Sequence, residues 1–213
     1  LEVREGLPAC EKAKVLNKEF SSLFGTFHVT FHPDLENEVK GKSSNSAWAA
    51  SSVVEPELLQ KKIVDIDYAT ITSQDADAIL HPNYLAALTY QFLDDPNRYQ
   101  CFWQPALMFY NNIWRVPAPI RALVTIWSVI HIYLLMRHDR LINFSTYSAS
   151  LKLLNSVGYW DTDVIPEDYR IFFKTFFATK GAIEVSPIFL PALMDAAESS
   201  SYWKTMKNQY GQV

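Results

Sequence analysis

Two histidines four residues apart, His28 and His32, are the first residues whose types and spacing suggest metal chemistry. Imidazoles at that spacing share a zinc ion when they sit on one turn of a helix. Here they lie in residues 26–32, where Phe27, Val29 and Phe31 alternate with Thr26, His28, Thr30 and His32. Such alternation marks a strand with one buried face. Four strand residues hold the two rings roughly 13 Å apart. One ion whose nitrogen ligands lie about 2 Å away cannot bridge them. The pair reads as two solvent-side histidines. Three Asp-x-Asp pairs, Asp65/Asp67, Asp75/Asp77 and Asp161/Asp163, have the oxygen chemistry for Mg²⁺ or Mn²⁺. None follows an apolar run in an α/β pattern. Asp161 and Asp163 are explained as turn and helix-start residues before Pro166.

Other chemistry is sparser. Gly41-Lys42-Ser43 is the tail of a phosphate-binding loop, but Glu36 stands where the leading glycine must be. With six glycines and no G-x-S-x-G turn, the chain has no nucleophile elbow. His131 lies inside an apolar run and reads as a core histidine. Two cysteines, Cys10 and Cys101, make no disulfide framework, and Cys101 reads as a small buried hydrophobe. Asn143-Phe144-Ser145 is a formal glycosylation sequon that carries little weight without a secretion signal. His32-Pro33-Asp34 matches the tripeptide of J-domain co-chaperones, but a strand-like run precedes it where that domain has a basic helix. The expectation is a protein that is not an enzyme and uses no cofactor and no metal.

The elements that position these residues are dominated by one feature. Residues 99–136 carry two formal charges, Arg115 and Arg121, and residues 122–136 (ALVTIWSVIHIYLLM) carry none. Fifteen helical residues rise roughly 22 Å, short of the roughly 30 Å of a bilayer core, so no membrane span is expected. A helix apolar on nearly every face is ordinarily the centre of a packed domain. Around it, the periodicity predicts helices at 8–24, 82–93, 105–114, 119–137, 146–157 and 166–179, and a last one from 186 toward 197. Short strands are predicted at 26–32 and 65–73, and a Ser-rich loop at 36–52. The expected fold is mainly α: a helical domain around a central apolar helix at about 119–137, with a few short strands in the N-terminal third. Residues 1–80 are expected to form an N-terminal arm or small subdomain, partly irregular, and residues 81–213 a helical core domain.

Charge excludes a basic nucleic-acid-binding domain. Residues 1–100 hold nine Lys+Arg against fifteen Asp+Glu, and residues 101–213 hold ten against eight. The remaining positive signal is aromatic: Phe102, Trp103, Phe109, Tyr110, Trp114, Trp127 and Tyr133 fall within thirty-two residues. Aromatics anchor both cores and interfaces. The candidate interface residues are Trp103, Phe109, Tyr110, Trp114, Pro117 and Pro119. Phe102-Trp103-Gln104-Pro105, the aromatic run to Trp114 and the apolar helix closing at Arg137 form one loose pattern. An aromatic helix at 169–177 and the segment Ser186-Pro187 to Leu190-Pro191 continue it.

Over roughly residues 80–200 this order resembles the helical capsid proteins of partitivirus-like double-stranded RNA viruses. The resemblance implies a non-enzymatic structural protein that self-assembles as a viral capsid subunit. Its partners would be copies of itself, in a homo-oligomer or larger assembly, with weak contact to RNA. The alternative is a helical binding module with an apolar pocket for a small ligand or a peptide. No secretion pattern is visible at the first residues. A virion or cytoplasmic location is expected, and the lack of an initiator Met leads us to expect a longer or processed chain.

Overall fold

The computed structural model describes residues 7–198 together with Tyr202 and Lys204. These residues group into two compact units. The first holds the described residues up to Ala69 together with Leu154–Thr175, and the second holds Thr70–Leu153 together with the described residues from Phe176 onward.

The second unit overturns the mainly α expectation. It is built on a curled, mixed five-stranded sheet; the described residues of the two units together form six α-helices. The strands are β1 (Thr70–Ser73), β2 (Ile79–Leu80), β3 (Cys101–Met108), β4 (Tyr147–Ser150) and β5 (Glu184–Leu193), in the order β1-β4-β3-β5-β2. Only the β3/β5 pair is parallel. Three helix assignments therefore fail. Residues 105–114 begin inside β3, residues 146–157 are β4 followed by the short helix α5 (Leu151–Ser156), and residues 186–193 are β5. Short apolar runs cannot be told from buried helix by periodicity alone. The prolines should have decided it. Pro191 would remove a hydrogen bond from the helix interior, although Pro187 would suit its first turn. In β5 they flank a bulge, where the pairing jumps from Pro105↔Ile188 to Ala106↔Pro191. Bulges are where a sheet accommodates proline.

β3 is central and buried along most of its length. Helix α3 (Tyr84–Asp94) lays Tyr84, Leu88 and Phe92, one face at i, i+4, i+8, onto Cys101, Trp103 and Ile188. Phe92 meets the Trp103 ring edge-on at 5.8 Å. β4 escaped a strand reading because three of its four buried residues, Tyr147, Ser148 and Ser150, carry hydroxyls. Ser148 Oγ bonds Thr72 Oγ1 at 2.7 Å and Tyr84 OH at 2.8 Å. Gln104 fixes the neighbouring loop, accepting from Phe144 N at 2.7 Å and donating to the Phe144 and Thr146 carbonyls at 3.2 and 3.1 Å.

The first unit contains α1 (Leu7–Phe20), α2 (Lys42–Ala49), a π-helical segment Ala50–Leu59, and most of α6 (Glu167–Ala178). α1 and α6 match expectation. The strand at 26–32 does not: those residues form no ladder beyond one bridge at His32. The Ser-rich loop is instead α2, tied down by Ser43 Oγ donating to the Asp161 carbonyl at 2.5 Å and by Lys42–Glu167 at 2.8 Å.

Candidate functional site

The expected central helix is α4 (Ala118–Leu135), which starts after Pro117 with Pro119 in its first turn. It is not central. Only 22% of it is buried, and by length and composition it could cross a membrane. Its buried residues are Ile120, Val124, Ser128 and Leu135, a single stripe. Ile120 and Val124 pack with Val116 and Ala196, against Phe109 and Ile113. Ser128 Oγ donates to the Val124 carbonyl at 2.8 Å and accepts from Phe109 N at 3.1 Å, joining the helix to the chain just beyond β3. On the same side, His131 sits among Phe144 (ring centroids 4.6 Å), Phe109 (6.2 Å) and Trp127 (6.4 Å). Burial pulls its imidazole down to about pKa 4, so it is neutral at physiological pH.

The opposite face of α4 is the candidate site. Ala122, Ile126, Val129, Tyr133 and Met136 are spaced 4, 3, 4, 3 and all face solvent; Ile126 and Val129 are each 57% exposed, Tyr133 53% and Met136 68%. At 100° per residue this stripe lies diametrically opposite the buried one. Ile130 and Ile132 flank it, both exposed. The 4-3 alternation is the spacing of a seam that receives another helix. An arginine stands at each end. The Arg121 guanidinium lies over the Trp114 ring at 5.5 Å. Arg137 forms a paired contact with Asp139 (2.8 and 2.7 Å) and donates to Tyr133 OH at 2.9 Å. These bonds to Asp139 and Tyr133 raise Arg137, and the bond from Arg137 holds the Asp139 carboxyl below its usual value. Tyr133 therefore presents its ring with its polar tip already engaged.

The six interface candidates read from sequence are scattered. Trp103 is 0% exposed in the sheet core. Phe109, Tyr110 and Pro117 are half-buried, Pro119 is exposed, and Trp114 is 84% exposed. The outer stripe was missed because apolarity on every face hid the two stripes inside it.

Chemistry-bearing residues elsewhere are engaged structurally. His32 is buried rather than solvent-facing. It stacks on Trp48 at 5.3 Å, with Nε2 2.7 Å from Glu38 and Nδ1 2.8 Å from Asn45. Burial raises the Asp161 carboxyl, but bonds from Lys174 (2.6 Å) and Arg170 (2.7 Å) outweigh it and hold it below its usual value. Asp77 accepts from Asp195 N at 3.1 Å. Burial pushes the Cys101 thiol up to about 12, which makes it a packing residue. Among the described residues no group of three His, Cys, Asp or Glu could hold a metal ion. An open cleft in the first unit, about 380 Å³, is bordered by Trp48, Glu55, Asn155 and Tyr159. Glu55 accepts from Asn155 at 2.6 Å and Tyr159 OH at 2.9 Å, and Tyr159 has a left-handed backbone (φ 58°) where its N–H bonds the Leu154 carbonyl at 2.8 Å.

The chain matches no family model, no curated protein and no solved structure.

Proposed function

We propose that this chain is a structural protein that self-associates through the outer face of α4, and that a capsid subunit is its most concrete form. The observation that carries this reading is an 18-residue apolar helix left 22% buried, with a second apolar stripe opposite its buried one. Soluble monomers rarely expose contiguous apolar area of this kind, and surfaces that do so are interaction sites. Exposed Phe173, Phe176 and Phe177 on α6, and Phe189 in the β5 bulge, add further apolar surface of the sort a subunit buries against its neighbours. The two sequence segments that carry the capsid resemblance also pair in register: Trp103 faces Ser186 and Gln104 faces Pro187 across the parallel β3/β5 ladder. Such a subunit would reside in a virion or in the cytoplasm. With a formal net charge of −4 it would touch RNA only weakly.

Sedimentation and negative-stain microscopy of the purified chain test this. The reading predicts oligomers or shells whose mass rises with concentration; a monomer at every concentration would end it. The binding-module reading has its best place in the first-unit cleft, whose wall combines the apolar surface of Ala47 and Trp48 with the polar groups of Glu55, Asn155 and Tyr159. Native mass spectrometry showing a stoichiometric small molecule on a monomer would favour it.

A further inference from the structure

We infer that the outer stripe of α4 packs on the same stripe of a second copy, antiparallel, about a two-fold axis passing near Val129. This rests on the self-association reading and adds the partner's face and its direction.

Three observations favour a second copy as the occupant. The first is spacing: Ala122, Ile126, Val129, Tyr133 and Met136 follow the 4-3 rhythm of a helix-on-helix seam, which a flat or globular partner does not require. The second is area. The exposed parts of Ile126, Val129, Ile130, Ile132, Tyr133 and Met136 amount to roughly 600 Å², which matches the roughly 600 Å² per partner at which specific interfaces begin. The third is charge. From Ala122 to Met136 there is no formal charge, and Arg121 and Arg137 at the ends already have Trp114 and Asp139 as partners. A copy laid along residues 122–136 buries no formal charge.

Side-chain volume sets the direction. The stripe is small at its start (Ala122) and large at its end (Tyr133, Met136). Antiparallel packing places Met136 of each copy against Ala122 of the other and Tyr133 against Ile126, with Val129 meeting its own equivalent. Large then faces small, and the seam fills evenly. Parallel packing would set Ala122 against Ala122, leaving a void, and crowd two Tyr133 and two Met136 at the other end. Antiparallel helix dipoles also attract, and the arrangement closes as a two-fold, the commonest symmetry of soluble oligomers.

Disulfide trapping tests it. Ala122→Cys and Met136→Cys are made in a Cys10→Ser background; Cys101 is buried and does not compete. The two positions lie about 21 Å apart along the helix, whereas a disulfide needs Cα atoms within about 7 Å. Co-refolded and mildly oxidised, the two variants together should form a covalent dimer on non-reducing gels. Each variant alone should form at least tenfold less. Ile126→Cys with Tyr133→Cys is the second pair, and circular dichroism confirms that each exposed-site variant is folded. Equally strong coupling of each single variant with itself would overturn the antiparallel geometry. Oligomers by sedimentation with no coupling in either pair would overturn the α4 seam and leave self-association standing. A strict monomer would overturn both, and its flotation with neutral phospholipid vesicles would identify a bilayer as the occupant.

Discussion

β3 and α4 are neighbours in sequence, and together they make up most of the charge-poor stretch from residue 99 to 136, yet they have opposite fates. β3 contains a glutamine and a proline and is buried nearly throughout. α4 has no polar interruption beyond Thr125, Ser128, His131 and Arg121, and most of it faces solvent. Hydrophobicity alone would have placed them the other way round. Topology decides instead. β3 is the middle strand of five, with β4 on one side and β5 on the other and α3 over Trp103. α4 follows the strand's end and has one stripe's width of protein to lie against. Among the described residues, the apolar surface beyond that width is left facing solvent.

The largest effect that sharpens this contrast is expected inside the sheet. Trp103→Ala removes a fully buried indole and should cost about 3–5 kcal/mol in denaturant unfolding, enough to leave little folded protein. A loss below about 1 kcal/mol would mean that β3 is not the core strand described. Next is His131, on the packed side of α4. The folded-state pKa of His131 is about 4 against an ordinary 6.5, so the unfolded chain binds its proton more readily. Stability should be fully present above about pH 6.5, fall between pH 6.5 and 4, and fall no further below that. The loss should reach at most about 3 kcal/mol. His131→Phe should flatten this part of the pH profile of unfolding; an unchanged slope would place the imidazole in water. Ser128→Ala leaves the Phe109 N–H without its acceptor and should cost about 1–2 kcal/mol, read as a lower denaturant midpoint. The smallest effect is expected on the outer stripe. Ile126→Asp should change the unfolding free energy of the protomer by less than about 0.5 kcal/mol, while abolishing its concentration-dependent association.

These outcomes also bear on what the sequence could disclose. The helices at α1, α3, α4 and α6 were legible because each shows helical apolar spacing with a proline or acidic start, as in Pro166-Glu167-Asp168. The sheet was not. β4 buries Ser148, Ser150 and Tyr147, so its inward residues do not look inward. β5 is broken by a bulge that shifts its period. His32 was misplaced because the alternation breaks before it: Phe31 is exposed, and the His32 ring lies buried on Trp48. Of the candidate site, the charge-free run was visible from sequence, but its sidedness was not. A helix apolar all round has no preferred face until a sheet takes one stripe, and only then does the 4-3 stripe opposite become a surface.

Sedimentation equilibrium of the wild-type chain beside Ile126→Asp over a hundredfold range of concentration tests the central claim most directly. The account predicts a wild-type mass that climbs with concentration to a dimer or beyond, and an Ile126→Asp mass fixed at that of one folded chain. A wild-type protein that stays monomeric throughout, or a variant that associates as tightly as wild type, would contradict it.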